Sequence, residues 1–151
     1  MKVSDFPMKA LQDELKLVTE IIAFTALSYD KVGAHRLCSS HPQLFSEAGF
    51  KSFLEAPTMK KVKETGEPII TDGIEAIKNG FPDWEKIYLN GCDAIVNLPV
   101  CTESGELVGQ LNLMGKSGAF NTDTLDQLKL IANHYAEYFM PPSNKETAEC
   151  V

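Results

Sequence analysis

Asp93-Ala-Ile-Val-Asn-Leu-Pro-Val-Cys-Thr-Glu-Ser-Gly-Glu-Leu-Val-Gly-Gln-Leu-Asn-Leu-Met114 reads as two strands joined at Ser104-Gly105. A two-residue turn there sets Glu103 opposite Glu106 and Asn97 opposite Asn112. That register sorts the side chains. One face collects Ala94, Val96, Leu98, Val100, Leu107, Gly109, Leu111 and Leu113 and is wholly apolar. The other collects Ile95, Asn97, Pro99, Cys101, Val108, Gln110, Asn112 and Met114. The first is a core face. The second is too apolar for a solvated surface and too polar for a dry core, as the wall of a small-molecule cavity is.

Outward from this hairpin, Met8, Leu11, Leu15 and Val18 recur at helical spacing within residues 5–20. Residues Ile21 to Tyr29 are β-rich, Asp30 to Gly33 has turn chemistry, and His35 to Ser40 completes a second hairpin. A helical stretch is expected over residues 51–65, interrupted at Pro57 and ending at Gly66. Pro68 to Thr71 is a short strand, and residues 72–90 hold two short helical pieces containing Phe81, Trp84 and Tyr88. Asn121 is placed to cap a last helix whose stripe is Leu125, Leu128, Ile131, Tyr135 and Phe139. The residues thus predict an α+β domain over 1–142, with a disordered polar tail over 143–151. The terminal helices cover one face of an antiparallel sheet and the middle segment covers the other.

Composition narrows the function. The chain has 151 residues, 44% of them hydrophobic, which is enough for one core without metals or disulfides. A net charge of −7 argues against nucleic acid or an anionic membrane as partner. The N-terminus lacks an apolar run for export, so a soluble cytoplasmic protein is expected. Cys38, Cys92, Cys101 and Cys150 form no Cys-x-x-Cys pair and stand at no metal-ligand interval from His35, His41 or His134. Reduced thiols and no metal are expected.

The chain resembles a GAF domain over about residues 8–140. The resemblance rests on Phe24-Thr-Ala-Leu-Ser-Tyr-Asp30, Arg36-Leu-Cys-Ser-Ser40, Gly66-Glu-Pro68, Asn90-Gly-Cys-Asp-Ala-Ile-Val-Asn-Leu-Pro-Val100 and Gly109-Gln-Leu-Asn-Leu113. It implies a central sheet of about six strands with a ligand pocket between the sheet and the middle helices, where the hairpin register also places one. The family's free methionine sulfoxide reductases put a reactive thiol near the position of Cys92, but their second cysteine in a Gly-rich loop has no counterpart here. The residue set of cyclic-nucleotide binders is not assembled, and no Cys is followed by His as in bilin attachment.

Strand alternation over His35 to Ser40 sets Arg36, Cys38 and Ser40 against Leu37, so Arg36, the sole arginine, faces the pocket with Cys38. A guanidinium there suits a carboxylate or phosphate. The expected ligand-binding residues are Thr25, Tyr29, Arg36, Cys38, Asn97, Gln110 and Asn112, with no catalytic residue and no cofactor. The expected function is a non-enzymatic sensory domain for a small anionic or amide-rich metabolite, acting as a homodimer through its terminal helices. A thiol reductase using Cys92 with Cys101 or Cys38, and a scaffold with an occluded pocket, are the alternatives.

Overall fold

Periodicity and turn chemistry are expressed directly in the computed structural model, which describes residues 6–46 and 48–140. The expected tail lies outside the described residues. Helix α1 (Met8–Val18) starts directly after Pro7, and its apolar steps bury Leu11 and Leu15. Strands β1 (Ala23–Tyr29) and β2 (Gly33–Ser39) form the first hairpin, followed by β3 (Phe50–Ser52). Then come α2 (Pro57–Thr65), β4 (Ile69–Asp72), α3 (Ile74–Gly80), α4 (Trp84–Leu89), β5 (Ala94–Cys101), β6 (Leu107–Gly115) and α5 (Thr122–His134). The six strands make one sheet in the order β3-β2-β1-β6-β5-β4, with every neighbour antiparallel. β3 occupies residues 50–52, part of which was expected to be helical. Three residues are too few to display an alternation, and their strand form comes from pairing with Gly33, Ala34 and His35.

The two sheet faces have different cover. Phe24, Ala26, Ala94, Val96, Leu98, Val100, Leu111 and Leu113 pack with Leu11, Leu15, Leu128, Ala132 and Phe139 beneath α1, α5 and the turn that follows α5. Each fully buried leucine in this layer contributes about 1.5–3 kcal/mol of transfer free energy. Asn121 caps α5 as expected, its side chain accepting from the Asp123 and Thr124 N–H groups while the Thr124 hydroxyl accepts from the Asn121 N–H. On the opposite face, Ala23, Ile95 and Met114 meet Phe45, Ile77 and Ile87, while Leu27, Tyr29 and Ala34 meet Met59. The middle segment therefore roofs the second face. No helix among the described residues is long and apolar enough to cross a membrane.

Asn97 faces Asn112, as the hairpin reading expects. The turn nevertheless differs. Thr102 N–H donates to the Glu106 carbonyl at 2.9 Å, and Gly105, at φ +91°, donates to the Thr102 carbonyl, so three residues rather than two make the loop. Thr102, not Glu103, lies opposite Glu106. The shift of one residue is then cancelled by a bulge: Cys101 pairs with Leu107 and Val100 with Gly109, leaving Val108 as the extra residue. The bulge exchanges two side chains. Leu107 turns to the roofed face beside Tyr29 and Met59, and Val108 turns into the helix-covered core, the reverse of the expected alternation.

Gly109 is fixed by close approach. A Cβ built there would stand 2.2 Å from the Leu27 carbonyl oxygen and 2.8 Å from the Phe139 ring. Neither backbone nor a fully buried ring can yield cheaply. Gly109→Ala is expected to destabilise the domain by about 3 kcal/mol, read as a lowered urea midpoint with an unchanged slope.

Candidate functional site

The floor of the candidate site is four strands wide. β2 supplies Arg36, β1 supplies Thr25 and Leu27, β6 supplies Gln110, Asn112 and Met114, and β5 supplies Ile95 and Asn97. The roof is Phe45 from the β2–β3 connection, the start of α2 at Ala56–Met59, the α3–α4 connection at Phe81–Asp83, and Ile87 of α4. Lys51 and Glu55, both exposed, stand at the rim. Between floor and roof is a cavity of about 170 Å³. That is below the 300–1,000 Å³ or so of a drug-sized pocket and suits a small metabolite.

A polar network runs along the floor. The Tyr29 hydroxyl donates to Gln110 Oε1, and Gln110 Nε2 donates to Asn112 Oδ1 at 2.6 Å. Asn97 Nδ2 donates to the same oxygen at 2.7 Å, and Asn112 Nδ2 donates to Thr25 Oγ1 at 3.2 Å. Thr25, Asn97 and Gln110 are each at most 4% exposed. Burial holds the Tyr29 hydroxyl well above the usual phenol range, with Cys101 adding to the rise, so it stays a donor.

The network leaves one end open. Among the described residues three buried side-chain polar atoms have no hydrogen-bond partner: Arg36 Nε, Asn90 Nδ2 and Asn97 Oδ1. Two of those three residues, Arg36 and Asn97, line this one cavity. Arg36 is tethered by Nη1 to the Ser46 carbonyl at 2.7 Å. Burial lowers its pKa, and the nearby Asp83 carboxylate partly offsets that. An orphan buried donor and an orphan buried acceptor are each costly, and both belong to residues of this one cavity.

Of the seven expected residues, Thr25, Arg36, Asn97, Gln110 and Asn112 come together at the cavity. Tyr29 stands behind it as partner to Gln110. Cys38 is on the other face. β1 and β2 pair Thr25 with Ser39, Ala26 with Cys38, and then Leu27 with Arg36, so Leu37 is bulged. The bulge turns both Leu37 and Cys38 into the core beneath the terminal helices and gives Ser39 the row beside Thr25. Simple alternation is broken by that one extra residue. Phe45, Met59 and Asp83 gave no signal in the sequence, because they come to the site from loops and helix starts.

The cysteines are poorly placed for thiolate chemistry. Cys92 is buried among Ala23, Ile77, Ile87, Ile95 and Met114, and burial pushes its pKa up to about 11, against a smaller lowering by Lys116. Burial also raises Cys101. Phe81 lines the cavity, Trp84 lies under the Lys78 ammonium at 4.9 Å, and Tyr88 is half exposed.

Asn112 is the hub of the network, and the two asparagines should therefore respond differently to substitution. Asn112→Leu strips a partner from Asn97, Gln110 and Thr25 and is expected to cost about 2–4 kcal/mol. Asn97→Leu leaves Asn112 Oδ1 still held by Gln110 and should cost about 1 kcal/mol. Equal losses in urea denaturation would contradict the hub.

Comparisons with known proteins agree with this architecture. The chain superposes on the GAF domain of a two-component sensor histidine kinase from Bacillus halodurans with a TM-score of 0.71, at 14% identity over 94% of this chain and 95% of that one. The GAF domain/HD domain protein from Geobacter sulfurreducens gives 0.69 at 12% identity, over 86% and 87% of the two chains. A red/green cyanobacteriochrome in its red light-absorbing state gives 0.64 at 13% identity, over 90% and 92%. No curated protein matches the chain in sequence. At these identities the structural likeness speaks for the fold, and it is the family model described as GAF domain, matching residues 11–139, that assigns membership: the chain belongs to the GAF domain family.

Proposed function

We propose that this chain, as a member of a family of sensory and regulatory small-molecule-binding domains, senses a small anionic or amide-rich metabolite in the cavity between the sheet and α2–α4. The observation that carries the reading is that two residues lining one cavity, Arg36 and Asn97, each hold an unpartnered buried polar atom, Nε and Oδ1. A guanidinium N–H calls for an acceptor, and a charged one binds it most strongly. An amide carbonyl calls for a donor. A scaffold with no ligand would be better served by apolar residues at both positions. A thiol reductase has less support, since Cys92 is buried with a raised pKa and Cys38 belongs to the opposite face.

Output would pass through association of two chains by α1 and α5. These helices lie side by side, joined by the Tyr135 hydroxyl donating to Glu14, and they expose Leu17 and Leu130 at 87% and 71%. Multi-angle light scattering at micromolar concentration is expected to give twice the chain mass, and Leu17→Glu with Leu130→Glu the single mass. A monomer in the unaltered protein would count against this route.

The pocket reading is tested by thermal shift with a library of small carboxylates, phosphates, amides and amino acids. At about 100 times its dissociation constant a ligand should add about 2.7 kcal/mol, a rise of roughly 5–10 °C for a domain of this size. Arg36→Ala should abolish the rise, and Asn97→Leu should reduce it. If no compound shifts the unaltered protein, or a shift survives both substitutions, the cavity is not the sensing site.

A further inference from the structure

The polar groups around the cavity are not all of one sign. Asp83, on the α3–α4 connection, lines it together with Arg36. The two are close enough for the carboxylate to hold up the arginine's pKa against burial, yet they form no ion pair within 4 Å. Opposite charges held near each other but out of contact leave a place between them for a molecule bearing both. The start of α2 adds a second anion-seeking element. Its first turn, at Pro57–Met59, lines the cavity and has no capping side chain and no acidic residue of its own, Glu55 standing two positions earlier at the exposed rim.

The far end has a different chemistry. Asn97 lies on β5 and Arg36 on β2, three interstrand spacings apart, which is roughly 14 Å between backbones. The arginine side chain spans about half of that. A ligand that satisfies both therefore carries its charged head some ångströms from a terminal hydrogen-bond donor, because the unpartnered atom of Asn97 is an acceptor, which the donor must reach by displacing the side chains packed over it. Apolar side chains, Leu27, Met59, Ile87 and Ile95, line the space between.

We propose that the ligand is an α-amino acid whose side chain ends in a hydrogen-bond donor, as an amide, ureido or hydroxyl group does. Its carboxylate lies on Arg36 and the start of α2, its ammonium on Asp83, and its side-chain donor on Asn97 Oδ1. This rests on the pocket reading above and adds the ligand class to it. The cavity volume of about 170 Å³ accommodates such a molecule and is small for a nucleotide.

The test is calorimetric titration and thermal shift with the twenty common L-amino acids and L-citrulline as probes. For each that binds, the N-acetyl derivative, the C-terminal amide and the des-amino carboxylic acid are titrated beside it. At least one donor-bearing amino acid is expected to bind, and each blocked form to bind at least tenfold more weakly. Asp83 is exposed and makes no side-chain hydrogen bond at the start of α4, so Asp83→Asn should leave the fold intact. It should weaken the amino acid at least tenfold while leaving the des-amino acid unchanged or tighter. Asn97→Leu should erase the preference for a donor-bearing side chain over leucine. If simple carboxylates or amides bind in an Arg36-dependent way and amino acids do not, the ligand class is wrong and the pocket reading stands. The class is equally wrong if Asp83→Asn weakens the amino acid and the des-amino acid alike. If neither amino acids nor anions bind, both fall.

Discussion

A primary amide packed into a sheet face must be paired, and Asn112, half-buried between Asn97 and Thr25, is paired three ways at once. It accepts from Asn97 on β5 and Gln110 on its own strand and donates to Thr25 on β1. Three central strands are thereby tied at one point by groups that cannot be satisfied in any other register. A slip of one residue would turn these amides under α1 and α5, where Leu11, Leu15 and Leu128 offer nothing to bond, and would put leucines on the polar face. The apolar face drives the sheet against its helices. The amides decide which residues meet when it does.

How far this was legible depended on bulges. The segregation of Asn97, Gln110 and Asn112 from the leucines was visible in sequence because each lies inside an uninterrupted run of alternation. The register followed, although a three-residue turn and a one-residue bulge cancelled to give it. Near the bulges alternation misleads: Cys38, Leu107 and Val108 each lie on the face opposite to the one it assigns. Arg36 kept its face because it precedes the extra residue of β2. No local pattern could disclose Asp83 or Phe45. Their side chains reach the cavity through the packing of the middle segment, and tertiary placement of that kind leaves no periodic trace.

The two covers of the sheet differ in how they are held. α5 has thirteen residues and a capping box, whereas α2, α3 and α4 have nine, seven and six and no capping side chain. Helices so short have little stability of their own and persist by leaning on Ile77, Ile87 and Met59. The roof is thus the layer best suited to tighten when the cavity fills. The floor, tied through Asn112, is suited to remain where it is.

The bonds along that floor also have a sense of travel. Tyr29 passes its hydrogen toward Gln110, Gln110 toward Asn112, and Asn112 toward Thr25, while Asn97 gives its own to Asn112. Turning one amide end for end would set like poles against each other, so the three could reverse only in concert. Reversal would leave the amino pole of Asn97 unpartnered instead of its carbonyl. It would also make Tyr29 an acceptor, with its proton, which burial keeps on the oxygen, deprived of the Gln110 oxygen. A hydroxyl outside the cavity, two strands from Asn97, thereby sets the electrical sign of the pole that Asn97 leaves without a partner.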